Sequence, residues 1–129
     1  MEELRVLVAD DHDKLRASVV RLLSSDFHVV GAVANGEELV QAAILLYPDI
    51  IVSDIDMPLM DGVSARKELL ARGIDRPFVF MSLTSEMAAT RLQGGFLSYV
   101  HKNDLWEELK LAVQATAAGR SYRSKSVNY

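Results

Sequence analysis

The chain has 129 residues, half of them apolar and a quarter charged, and no cysteine. That is enough for one domain and too apolar for a chain that stays unfolded, and it excludes disulfides, thiolate metal sites and cysteine nucleophiles. Fourteen Lys and Arg against eighteen Asp and Glu leave a net charge of −4, so no overall field draws this chain by itself to nucleic acid.

Five short apolar runs set the framework: Leu4–Ala9, His28–Val33, Asp49–Ser53, Pro77–Ser82 and Leu97–His101. They are rich in Val, Ile and Phe and mostly continuous, the pattern of strands buried on both faces. Helical spacing fills the intervals. Leu15, Val19, Leu22 and Leu23 share one stripe, Leu39, Ala43, Leu46 and Tyr47 a second, and Leu105, Leu109, Ala112 and Val113 a third. Ala65–Arg72 is a further helix with Gly73 as its stop, and Thr84–Gln93 a shorter one closed by Gly94-Gly95. Pro48 and Pro77 precede strands, where a missing N–H costs least.

Strand and helix thus alternate five times, which demands crossover connections and a doubly wound α/β fold with a five-stranded parallel sheet. A single domain over residues 1–119 is expected. The polar, basic stretch 120–129 reads as a frayed tail or the start of a linker. No apolar run reaches the roughly 18 residues of a membrane span. Met1-Glu2-Glu3 has neither the basic flank nor the apolar core of a signal peptide, so the expectation is a soluble, cytoplasmic domain without membrane contact.

Ligands of open α/β sheets bind beyond the carboxyl ends of the strands. There the first strand runs into Asp10 and Asp11, the third into Asp54, the fourth ends at Ser82 and the fifth at Lys102. Converging carboxylates repel one another, and a hard divalent cation relieves that conflict. Mg²⁺ suits a few carboxylate oxygens plus water, and no His or Cys is read at ligand spacing for a softer metal. Beside such an ion one carboxylate can act as nucleophile towards phosphorus, with Lys102 and Ser82 contacting phosphoryl oxygens. Each residue alone has a plainer reading. Asp10-Asp11 is also a loop and helix cap, Asp54 a strand end, and Lys102 a solvated cation. The conjunction at four strand ends is what carries the signal.

Three stretches extend that signal: Val6-Leu7-Val8-Ala9-Asp10-Asp11-His12, then Asp54-Ile55-Asp56-Met57-Pro58-Leu59-Met60-Asp61-Gly62, then Ser98-Tyr99-Val100-His101-Lys102. Together they resemble the receiver domain of two-component response regulators, over about Leu4 to Gly119. Gly119-Arg120-Ser121-Tyr122 and Lys102-Asn103-Asp104 look most like the subfamily carrying a LuxR/NarL-type helix-turn-helix domain. The resemblance implies a flavodoxin-like strand order 2-1-3-4-5 and a histidine kinase as phosphoryl donor. It implies Asp54 as phosphoacceptor, with Mg²⁺ held by Asp10, Asp11, Asp54 and the main-chain carbonyl of Asp56. Lys102 is then the phosphoryl contact, Ser82 the switch hydroxyl and Tyr99 the aromatic that follows it. It further implies output to transcription through a DNA-binding domain absent from this chain. A homodimer is expected through the face made by the fourth helical segment, the last strand and the final helix, or through another helical face. Pro58 fixes φ after the nucleophile, Gly62 permits a backbone shape that a Cβ would hinder, and Asp61 is placed to cap the next helix.

The chain departs from that family at Leu83, where Ala or Gly is usual, and a larger side chain there is expected to narrow access to Asp54. The stretch from Ser82 to Lys102 is shorter than in most receivers, and Phe96 stands where Ala is usual, so an altered output face is expected. Trp106 lies off the stripe of its helix and reads as a core-edge residue or an interface anchor. His12 and His28 read as polar surface or loop residues. Two other functions compete with the switch. One is an interaction module independent of phosphate. The other is a Mg²⁺-dependent phosphohydrolase, since Asp54-x-Asp56 mimics a DxD motif; Pro58 and the position after the third strand disfavour it.

Overall fold

A computed structural model describes residues 3–83 and 98–124. The expected helix Thr84–Gln93, Gly94-Gly95 and Phe96 lie outside the described residues. In chain order the elements are β1 (Arg5–Ala9), α1 (Asp13–Ser24), β2 (His28–Val33), α2 (Gly36–Leu46), β3 (Ile50–Asp54), α3 (Gly62–Ala71), β4 (Phe78–Ser82) and β5 (Ser98–His101). A single 3-10 turn, Lys102–Asp104, then leads into α4 (Leu105–Ala117). All strand pairs are parallel, in the order β2-β1-β3-β4-β5.

Two apolar cores explain the continuous runs. Successive strand side chains point to opposite faces, so every second residue serves a different core. Leu7, Ile51, Phe78, Phe80 and Tyr99 pack with Leu39, Ala43, Ala65 and Leu69 of α2 and α3. Val6, Val8, Ile50, Val52, Val79 and Met81 pack on the other face with Val19 and Leu23 of α1 and Leu105, Leu109 and Val113 of α4. Strands β3 and β4 are buried throughout. The edge strand β2 is only half-buried, unlike the doubly covered strand its apolar text suggests, because it has a neighbour on one side only.

Helix ends follow local chemistry. Asn35 caps α2 by accepting from Glu38 N at 2.9 Å, and Asp61 caps α3 by accepting from Ser64 N at 2.7 Å, as expected. Gly73 adopts φ +79° at the end of α3 and satisfies Leu70 O, the expected stop. Tyr47 departs from its predicted stripe. It ends α2 in a left-handed conformation, φ 49°, and its ring is exposed. Trp106 is 58% exposed, more than a core-edge position implies.

Backbone contacts fix the loop after β3. Gly62 packs where a Cβ would stand 2.3 Å from Asp54 O and 2.7 Å from Ser53 Oγ. Gly36, at the start of α2, donates its N–H to Met60 O at 2.8 Å, and a Cβ there would stand 2.1 Å from that oxygen. The segment Asp56–Asp61 is thus clamped between the start of α2 and the end of β3.

The described part of the tail, residues 120–124, is held against the sheet. Tyr122–Ser124 runs parallel to β5: Tyr99 N donates to Tyr122 O at 2.8 Å and Ser124 N to Tyr99 O at 3.0 Å. Polar partners that no hydropathy pattern reveals fasten it. Tyr122 N donates to Ser98 Oγ, the Tyr122 hydroxyl to Glu108 Oε1 at 2.9 Å, and the Ser124 hydroxyl to Asp104. The segment covers the outer edge of β5, whose backbone groups would otherwise lack partners.

Two outcomes follow. Gly62→Ala should destabilise the fold by about 2 kcal/mol or more, because the clash is with backbone; urea unfolding reads it. Burial first, and then the bond to Glu108, push the Tyr122 hydroxyl up to about 12. The fold therefore favours the neutral phenol. The stability this contributes is complete below about pH 10 and is lost as pH rises through about 12. Subtracting the ultraviolet alkaline titration of Tyr122→Phe from that of the wild type should leave one late tyrosinate step near pH 12.

Candidate functional site

Parallel strands bring their carboxyl ends to one edge, and the expected residues meet there. Asp10 follows β1 with its N–H donated to Val33 O of β2, while Asp54 ends β3 and Ser82 ends β4. Lys102 opens the turn after β5. Asp10, Asp54 and Ser82 are all buried. Asp54 and Ser82, with Asp11, His12, Asp56, Leu83 and Lys102, line a cavity of about 320 Å³.

Lys102 joins the acids. Its Nζ donates to Asp54 Oδ2 at 2.9 Å and stands 3.4 Å from Asp10 Oδ2. Burial disfavours the ammonium, but the bond to Asp54 and the charges of Asp54 and Asp10 outweigh it, so its pKa is raised. The Asp54 carboxyl is raised as well, which for an acid favours the neutral form. Burial dominates and, with the charge of Asp10, lifts its carboxyl to about 6 despite the bond and charge of Lys102 and the Asp56 N–H. Among the described residues, its second oxygen, Oδ1, receives a long 3.4 Å contact from Asp56 N.

The acidic loop is folded back on itself. Asp10 Oδ1 accepts from His12 N at 2.9 Å, and Asp10 O accepts from Arg16 Nη1 at 2.9 Å. Arg16 also pairs with Asp13 at 2.8 Å. Two carboxylate oxygens, Asp10 Oδ2 and Asp11 Oδ1, are buried without a hydrogen-bond donor. Ligand atoms of Asp10, Asp11, His12 and Asp54 lie within 4.8 Å of one another. Donor-poor buried carboxylates at this spacing fit a divalent cation.

Of the expected residues, Asp10, Asp11, Asp54, Asp56, Ser82 and Lys102 come together around the cavity or in contact with its lining. Tyr99 of β5 lies apart from the acids, its side chain fully buried in the core against α2 and α3, and its hydroxyl donates to Ser82 O at 3.3 Å. Leu83 is exposed at the cavity wall. His12 corrects the reading that no histidine has ligand spacing: its Nδ1 lies 3.4 Å from Asp11 Oδ1 and 3.5 Å from Asp10 Oδ1. Its place directly after the acidic pair is the signal that reveals it. Sequence reasoning also missed Arg16 and Gly36, which act through backbone oxygens and leave no pattern of their own.

Comparison with known proteins agrees with this fold. The response regulator receiver domain family matches residues 6–114. The chain is 39% identical over 105 residues to protein-glutamate methylesterase/protein-glutamine glutaminase 1 of Pseudomonas aeruginosa, covering 78% of this chain and 28% of that protein. It therefore spans less than a third of that relative. Among solved structures, the signal receiver domain of the response regulator NarL from Mycobacterium tuberculosis superposes with a TM-score of 0.85 at 31% identity, covering 93% of this chain and 100% of that one. The response regulator domain of Thermotoga maritima CheB gives 0.81 at 26% identity, covering 91% and 98%. Likeness is thus shared between a LuxR/NarL-type receiver and a methylesterase receiver, and does not single out the former. On this match and this fold, the chain belongs to the response regulator receiver domain family.

Proposed function

We propose that Asp54 accepts a phosphoryl group from a histidine kinase, with Mg²⁺ or a similar cation held by Asp10, Asp11, Asp54 and the main-chain carbonyl of Asp56. The observation that carries this is Asp54 at the cavity wall, bonded through Oδ2 to Lys102 and lightly held at Oδ1. An Asp54 oxygen attacks phosphorus, one new P–O bond forms, and the bond from phosphorus to the donor breaks with its electron pair leaving on the donor. When bound, the cation offsets the carboxylate charge and screens the incoming phosphoryl oxygens.

This chain's own residues do the rest. Lys102 stands ready to exchange part of its hold on Asp54 for a phosphoryl oxygen. Ser82 provides a hydroxyl at the end of β4, and Tyr99, bonded to the Ser82 carbonyl, links that strand end to the core beneath. Swinging a two-state equilibrium from about 1:99 to 99:1 takes about 5.5 kcal/mol. New charge-assisted bonds from Ser82 and Lys102, at about 1.5–3 kcal/mol each, are of that order. The output reads as regulatory: transcription through a DNA-binding domain elsewhere in the protein, in line with the LuxR/NarL-type neighbours. The methylesterase relatives support a second output, control of an attached enzyme domain.

Acetyl phosphate with Mg²⁺ should add one phosphoryl mass to the intact wild type and none to Asp54→Asn; an unmodified wild type, or an equally modified variant, sinks the assignment. Leu83→Ala should be phosphorylated several-fold faster than wild type by the same small donor in a stopped time course, since it opens the cavity wall; equal rates would show that Leu83 does not restrict entry.

A further inference from the structure

The phosphorylation chemistry leaves His12 without a role. Its backbone caps α1, but its side chain makes no capping bond and is 64% exposed. The ring is nevertheless turned towards the acidic pair, with Nδ1 3.4 Å from Asp11 Oδ1 and 3.5 Å from Asp10 Oδ1. These separations are too long for good hydrogen bonds. They approach the spacing of about 3 Å between neighbouring ligands on an ion with bonds of about 2.1 Å. Asp11 Oδ1, the atom nearest the ring, is buried and accepts no hydrogen bond. Asp10 is fully buried, and its Oδ2 accepts no hydrogen bond and has the Lys102 ammonium 3.4 Å away. The bond from His12 N to Asp10 Oδ1 holds the loop so that imidazole and carboxylates share one side.

We propose that His12 supplies an imidazole nitrogen to this cation site and thereby makes it favour a first-row transition ion such as Mn²⁺ over Mg²⁺. The inference rests on the reading of the pocket as a cation site. Mg²⁺ takes oxygen ligands and gives up water reluctantly, so a nearby nitrogen adds little to its binding. Transition ions accept imidazole, and their affinity for mixed nitrogen and oxygen sites rises along the series that begins with Mn²⁺. His12 acts as a specificity-determining residue, separate from the group that reacts with phosphorus.

The test reads metal directly. Electron spin echo spectra of the wild type loaded with Mn²⁺ should carry nitrogen modulation that disappears in His12→Ala. Calorimetric titration should show His12→Ala weakening Mn²⁺ by about tenfold and Mg²⁺ by less than about twofold, whereas Asp11→Asn weakens both. Mn²⁺ binding that depends on Asp11, with no nitrogen modulation and an unchanged Mn²⁺ to Mg²⁺ ratio in His12→Ala, would overturn the role of His12 and leave the cation site standing. Failure of the wild type to bind either ion would overturn both.

Discussion

The ion contact between Lys102 and the two buried acids Asp54 and Asp10 is the constraint on which the site depends. Two carboxylates at the end of a dry parallel sheet are costly, and a single ammonium placed 2.9 Å from one and 3.4 Å from the other offsets part of that cost. The compensation is incomplete. Burial still lifts the Asp54 carboxyl to about 6, and oxygens of Asp10 and Asp11 remain without donors. A site left short of positive charge is suited to receive a cation and, with it, a phosphoryl group.

Holding that arrangement is a matter of backbone. Gly62 and Gly36 allow the loop after β3 to lie against Asp54 O and the start of α2 within distances that no Cβ tolerates. Arg16 pins the carbonyl of Asp10, and His12 N folds back to its carboxylate. On the far side of the sheet edge, Tyr122–Ser124 lies along β5 and binds both main-chain groups of Tyr99. The chain after α4 is therefore in contact with the strand that carries Tyr99, and Tyr99 in turn touches the carbonyl of Ser82.

The fold was largely legible in the sequence because a parallel sheet covered on both faces needs apolar residues at every strand position. Runs such as Ile50–Val52 and Phe78–Met81 have no other use, and the helical stripes between them show which faces close the cores. β2 reads as equally buried because hydropathy does not report whether a strand has one neighbour or two. Tyr47 fitted its helical stripe by spacing yet terminates the helix, since spacing is blind to where the backbone turns left-handed.

By itself the sequence determined the strand order through its family likeness, and the gathering of Asp10, Asp11, Asp54, Ser82 and Lys102 through their places at strand ends. Those follow from chain order and from the rule that parallel strands all point one way. Only the tertiary structure decided which acid Lys102 holds, that the Tyr99 side chain is buried in the core on one face of the sheet, that the ring of His12 turns towards the acids, and that Tyr122–Ser124 lies along the edge of β5. Each of these is a through-space contact between side chains or backbone groups, and its direction depends on packing that no periodicity in the text records.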